Sequence, residues 1–423
     1  MIQNSHTPKR EARRRQMRKI GTLVFLVLST MALMISLDSA QAQNSTTPTA
    51  KPIIIGGALS LTGVYSETAK WIKEGYNFWA EDINKRGGLL GRPVKLIIYD
   101  DEGNADKAVT YYERAITVDK ADLIFGGYPA TSNLAVMPLA EKHGKVFIGM
   151  GGQKESFEQG YTYSFASPPL ISDVVHIPIQ GLFDDLIPKA EWPKSVAIFA
   201  MNNVIGLSGR GNIIKSFQEH GIKIVVNETY NLPLSDPTPL IGKARSGGAE
   251  MLCCLSFFDD GVMLTRAAKA RNYNPKVLFH LFAPTIPAWM RELGEDGNNV
   301  VSTIHWSPRL PFPDNDKITE AAKTRYKLSS PPQYFGYAYC WMKTLELGVK
   351  GANSLDNKKI RDSLRSKKID LPYGLGVIFD EKGLPPQTAA SFAVQITNGI
   401  PEVVWPKNLA TTKLVYPKPN WNK

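Results

Sequence analysis

From Pro52 onward the chain repeats one unit: a short apolar run, a polar or glycine-bearing turn, then apolar residues at helical spacing. Residues 53–59 are the first such run, and Ala69, Ile72, Tyr76, Trp79, Ala80 and Ile83 recur at helical intervals within 67–85. Gly87 and Gly88 stop that helix, and strands at 94–99, 123–126 and 145–148 then alternate with helices at 105–119 and 132–142. Strands separated by helices cannot pair as hairpins. They require right-handed crossovers, which put helices on both faces of a parallel sheet.

After Pro168, Pro169 and Pro178 the unit restarts, with helices at 173–186, 209–220, 239–246 and 261–272 and strands at 195–199, 222–226, 250–255 and 277–280. At 423 residues the chain exceeds what one core usually organises, so the expected fold is α/β with two doubly wound parallel-sheet lobes. The C-terminal third reads as helices at 316–327, 333–349 and 356–365 and a β-like stretch at 389–396, and periodicity does not assign it to either lobe.

The first 42 residues are set apart from this pattern. A basic run (Lys9, Arg10, Arg13, Arg14, Arg15, Arg18, Lys19) precedes an apolar run at 20–37 and then Ala40-Gln41-Ala42, the three parts of a secretory signal, with cleavage expected after Ala42. The length of the apolar run makes an uncleaved membrane anchor the rival reading. Residues 43–51 form a Ser/Thr/Pro-rich tether. Residues 1–42 hold seven Lys/Arg and two Asp/Glu, so the rest of the chain has 43 against 37, a net charge of +6 without a long basic block. Nucleic acid is not an expected partner. Cys253, Cys254 and Cys340 make neither a metal spacing nor an even disulfide set, and they read as buried apolar residues, with a bridge from Cys340 to one of the adjacent pair as the alternative in an oxidising compartment.

Enzyme signatures are missing. The glycines at 56–57 and 149–152 lack dinucleotide-loop spacing, and no Walker loop, H-E-x-x-H or G-x-S-x-G occurs. No cofactor and no metal is expected. Parallel sheets bind ligands beyond the carboxyl ends of their strands, so the loops at 60–67, 128–132, 150–154, 201–205, 257–260 and 281–285 are the search space. Thr131 and Ser132 open a helix after a strand, where free N–H groups hold a carboxylate or cap the helix. Gly151, Gly152 and Gln153 could offer N–H groups to the same anion, or only shape a turn. Of the paired acids, Asp259-Asp260 lies on the ligand side.

Several motifs in order match one family: G-A-L-S-L-T-G-V-Y at 57–65, the pattern from Glu74 and Gly75 through Ile83-Asn84 and Gly87-Gly88 to Gly91-Arg92, and Tyr99-Asp100-Asp101. The 125–132 turn, Ala288-Trp289 with Leu293-Gly294, Tyr373-Gly374 and the 379–383 segment continue the series. Over about 51–416 the chain resembles the leucine/isoleucine/valine-binding branch of the extracytoplasmic solute-binding proteins of ABC transporters, of type I periplasmic binding fold.

The resemblance implies a periplasmic, non-enzymatic two-lobed clamp with three hinge crossings. Lobe 1 would hold 51–170 and 305–388, lobe 2 171–304 and 389–423. Its partners would be a small solute and the membrane permease of an ABC transporter. The family's carboxylate-binding positions map onto Ala130, Thr131, Ser132, Gly152 and Gln153, in the turn that also carries Tyr128, and its first-loop aromatic onto Tyr65. On the second lobe two tyrosines and a glutamate are replaced by Ile205, Phe257 and Phe282. Either Asp259, Asp260 or Glu67 then meets a ligand ammonium, or the ligand is an apolar or aromatic carboxylate, an amide or a urea. Tyr65 and Phe257 are expected to sandwich its apolar part. A sensory ligand-binding protein docking to a receptor or regulator would use the same clamp.

Overall fold

A computed structural model describes residues 50–150, 154–167, 171–385 and 391–421, excluding the side chains of 154–155 and 171–174. The basic run, the apolar stretch, the expected cut after Ala42, and Gly152 and Gln153 lie outside the described residues. The first part of the fold runs β1 (Ile53–Leu59), α1 (Ser66–Lys85), β2 (Val94–Asp100), α2 (Ala105–Thr117), β3 (Leu123–Ile124), α3 (Ala130–Lys142), β4 (Phe147–Gly149) and β5 (Ser164–Ala166). Then follow α4 (Ile171–Gly181), β6 (Ser195–Met201), α5 (Val204–Glu219), β7 (Lys223–Tyr230), α6 (Thr238–Ser246), β8 (Met251–Leu255), α7 (Phe258–Ala270), β9 (Val277–Leu281), α8 (Ala288–Leu293) and β10 (Val301–Ile304). The chain closes with α9 (Asn315–Tyr326), α10 (Gln333–Ala352), α11 (Asn357–Ser366), β11 (Ile369–Leu371), β12 (Gly374–Val377), β13 (Phe392–Thr397) and β14 (Ile400–Trp405).

Among the described residues the strands form a three-stranded sheet β2-β1-β3, a seven-stranded sheet β14-β13-β10-β9-β8-β6-β7, and the pairs β4-β5 and β11-β12. In the three-stranded sheet β1 runs parallel to β2, with Ile53 opposite Val94 and Leu59 opposite Asp100. In the seven-stranded sheet β7, β6, β8, β9 and β10 are parallel. Strands β6, β8 and β9 are buried at every position, as a sheet covered on both faces demands, while the edge strand β7 carries polar residues outward.

The seven-stranded sheet is parallel except at one edge, where β13 is antiparallel to both β10 and β14, and the separate β11-β12 pair is antiparallel as well. Asn398 and Gly399 both adopt positive φ (49° and 77°), the two-residue turn whose twist suits a hairpin. Cys253, Cys254 and Cys340 are buried free thiols.

Helices α1 and α10 pack at close range because Gly75 has no side chain. A Cβ there would lie 2.4 Å from the Phe335 carbonyl oxygen and 2.7 Å from the Ala338 Cβ. Gly75→Ala therefore must push two helix backbones apart and should destabilise the protein by about 1–3 kcal/mol. A lowered urea midpoint at unchanged slope is the expected result.

Candidate functional site

The carboxyl ends of β1, β2 and β3 are bound into one platform. The Ser60 hydroxyl lies 2.6 Å from Asp101 Oδ1 and 2.7 Å from the Tyr128 carbonyl oxygen. The Ser60 hydroxyl proton is shared between these two acceptors, and Asp101 Oδ1 also accepts from the Gly103 N–H at 3.0 Å. Burial raises the Asp101 pKa against these bonds. Tyr76 and Tyr112 donate to the Gly126 and Phe125 carbonyls from beneath. Asn133, in the first turn of α3, accepts from the Gly127 N–H at 2.7 Å and donates to the Met150 carbonyl at 3.3 Å, tying the loops after β3 and β4 together.

That platform presents the N-terminus of α3. Pro129 is its N-cap and supplies no capping side chain, and no acid stands in the first turn. Among the described residues the Ala130 and Thr131 N–H groups find no acceptor. Ser132 is 1% exposed and its hydroxyl is unpartnered among the described residues, while Ala130 is fully buried and Thr131 half-buried. Positive helix-terminal potential, open N–H groups and an unsatisfied hydroxyl together suit an oxyanion.

Aromatic rings line the neighbouring surface. Tyr65, the N-cap of α1, meets Tyr128 edge-on at 6.0 Å between centroids, and Tyr128 meets Tyr334 at 5.5 Å. Tyr334 meets Phe282, at the end of β9, at 6.1 Å. Phe257, at the end of β8, touches Tyr65 edge-to-face at 5.4 Å and 89°. Rings in edge contact leave no slot between them, so in this geometry Tyr65 and Phe257 pack directly on each other. Ile205, in the first turn of α5, is buried like Phe257 and Phe282. Phe282 holds φ of 46°, a strained value for a bulky residue, fixed by the Thr285 N–H and hydroxyl on its carbonyl oxygen.

Asp259 and Asp260, expected in a loop, lie within the first turn of α7, because the helix begins at Phe258. Asp260 is buried and accepts from the Tyr230 hydroxyl and the Phe257 N–H. Burial pushes its pKa up to about 6 against those donors. Asp259 is exposed at the rim, and desolvation followed by the nearby Glu67 charge raises its pKa. A cavity of about 60 Å³ beside Phe257 is walled by both aspartates, Val64, Leu232, Leu234 and Met263. Behind β8 and β9, His280 bonds Ser256 (2.8 Å) and Thr265 (3.1 Å), and burial pushes its pKa down to about 3. It stays neutral and holds the two strand ends in register.

Sequence reasoning missed Tyr230 and Tyr334. Tyr230 ends β7, which runs four residues beyond the expected strand at 222–226, so its loop never entered the search space. Tyr334 follows Pro331-Pro332 at the start of α10, a helix-entry signal pointing at the cleft. Among the described residues no group of three or more His, Cys, Asp or Glu could hold a metal ion. No helix among them is long and apolar enough to cross a membrane.

Known proteins share this architecture. The chain is 21% identical over 397 residues to Leu/Ile/Val-binding protein homolog 7 of Brucella abortus, covering 91% of this chain and 99% of that protein. It is 25% identical over 344 residues to the leucine-, isoleucine-, valine-, threonine- and alanine-binding protein of Pseudomonas aeruginosa, covering 79% and 87%. A leucine binding protein of Thermotoga maritima superposes with a TM-score of 0.73 at 18% identity, covering 83% of this chain and 97% of that one. A solute-binding protein of R. palustris in complex with benzoate gives 0.72 at 16% identity, covering 84% and 96%. These relatives and neighbours are substrate-binding proteins rather than enzymes. Residues 52–399 match the periplasmic binding protein family model, and with its two-lobed type I fold the chain belongs to that family.

Proposed function

We propose that this exported protein clamps a small amino acid, or a related carboxylate or amide, between its lobes and delivers it to the membrane permease of an ABC uptake system. The reading includes removal of residues 1–42 and the lobe boundaries near 170, 304 and 388. The observation that carries it is the uncapped N-terminus of α3, where Ser132 keeps a buried hydroxyl without a partner among the described residues. Thr131 and the Ala130 N–H would join it on the solute's carboxylate, with Gly152 and Gln153 on the facing loop. Tyr65, Tyr128, Ile205, Phe257 and Phe282 would wall the apolar part, and Tyr65 would part from Phe257 to admit it. The ligands of two of these proteins, leucine, isoleucine, valine, threonine and alanine for one and benzoate for the other, all carry a carboxylate.

The test is thermal unfolding of the full chain with matched ligands: L-leucine and 4-methylpentanoate, L-phenylalanine and 3-phenylpropanoate, and the corresponding amides. A true ligand at a hundredfold excess over Kd stabilises by about 2.7 kcal/mol. At least one carboxylate should raise the melting temperature. Within each pair the difference measures how an ammonium fares where Asp260 already holds two donors. If no carboxylate or amide shifts unfolding, the clamp reading fails.

A further inference from the structure

A second cavity, of about 550 Å³, opens between the β11-β12 hairpin and the β13-β14 edge of the seven-stranded sheet. Tyr373 and Val377 form one wall and Phe392, Trp405 and Leu409 the other, with Leu375 exposed among the lining residues. The polar tips of the two largest rings are already engaged: the Tyr373 hydroxyl with Ser167 at 2.9 Å, and the Trp405 N–H with Asp185 at 2.6 Å. Their remaining surface is apolar. The hairpin side is tied to the first lobe through Tyr373 and Ser167, and the facing side is the sheet of the second lobe.

One lining group breaks the apolar pattern. Ser391 is 6% exposed, and its hydroxyl has no partner among the described residues. A buried hydroxyl left in that state is destabilising unless something bonds it. Among the described residues no lining residue is charged. The cavity volume falls in the range of small-molecule sites, which pair apolar walls with a few placed polar groups. We propose that this cavity is a second ligand site, taking a neutral, mainly apolar small molecule whose single hydroxyl, carbonyl or amide group bonds Ser391. Its chemistry is opposite to that of the α3 terminus, which favours an anion. Because its walls come from both lobes, a molecule fitting one lobe angle better than another shifts the balance between them.

The probe is 2-naphthol, a neutral two-ring molecule with one hydroxyl, titrated into the full chain at neutral pH by calorimetry. Saturable binding is expected. Ser391→Ala should weaken it by about three- to tenfold, the loss of one hydrogen bond. Leu409→Trp, at a half-buried position, should fill the cavity and weaken binding by about tenfold or more. Absence of saturable binding by the parent protein, or a folded form of either variant matching the parent's affinity, overturns the proposal. The second outcome would place the probe in the main cleft instead.

Discussion

Glu346→Gln will destabilise the protein by about 1–3 kcal/mol, less than for a fully buried charge pair because the cations it leaves behind, Arg86 and Lys350, are partly exposed. Glu346 is 1% exposed on α10. The Arg86 guanidinium grips it with both arms at 3.1 Å, Lys350 reaches it at 2.6 Å, and the Trp79 indole N–H donates at 3.0 Å. Glutamine keeps the shape but not the charge, leaving Lys350 without this counter-ion and Arg86 with Asp82 alone, at 3.0 Å. Urea unfolding of the variant against the parent at neutral pH measures the loss.

The same carboxylate predicts an acid dependence of definite sign. Burial alone would raise its pKa, but bonding to Arg86 and Lys350 overrides that and draws it down to about 2. A folded-state pKa below the unfolded value means the unfolded chain binds the proton more readily. Stability from this group is therefore complete above the unfolded value near 4.5 and drains away as pH falls toward 2. The span is worth about 3 kcal/mol. Glu346→Gln has nothing to titrate there, so the gap between variant and parent should close as the solution is acidified. A gap constant from neutral pH to pH 3 would show that the carboxylate's charge contributes little.

Alternation of apolar runs with helical spacing was enough to place β1, α1, β2 and most of the second-lobe strands, because a sheet buried on both faces leaves a continuous apolar signal. The signal weakened wherever small residues diluted it. Helix α5 begins at Val204, capped by Asn203 on the Gly206 N–H, yet Gly206, Gly209 and Gly211 hid its first turn and delayed the expected start to 209. The Asn398-Gly399 turn was legible as a hairpin signal and β14 was still missed, because the long parallel pattern set the expectation. At the site, Thr131 and Ser132 followed from a general rule about strand ends and helix termini. Asp260 did not, because only packing reveals that it faces inward to Tyr230 and caps its own helix rather than waiting in a loop. The contact of Tyr65 with Phe257 was equally out of reach, since it joins residues 192 positions apart.

Ser132→Ala should separate stability from binding. In most buried positions a hydroxyl is bonded, and its removal destabilises the fold. Here the hydroxyl has no partner to lose among the described residues, so the variant should fold as stably as the parent or gain up to about 1 kcal/mol. If the α3 terminus receives the solute's carboxylate, the same change deletes a charge-assisted hydrogen bond. Affinity should then fall by roughly 10- to 100-fold for any carboxylate that stabilises the parent. Ser164→Ala is the matched control, since Ser164 is also 1% exposed and unpartnered among the described residues but stands in β5, outside the helix terminus. It should share the neutral effect on stability and leave affinity unchanged. Equal affinities for the parent and both variants would move the anion site away from α3, whereas loss of stability in Ser132→Ala alone would mean that its hydroxyl is held by the neighbouring loop and serves the fold. A stable Ser132→Ala with weakened binding is what a group kept unsatisfied for a ligand must give, because the free protein bears the desolvation of that hydroxyl and only the bound solute relieves it.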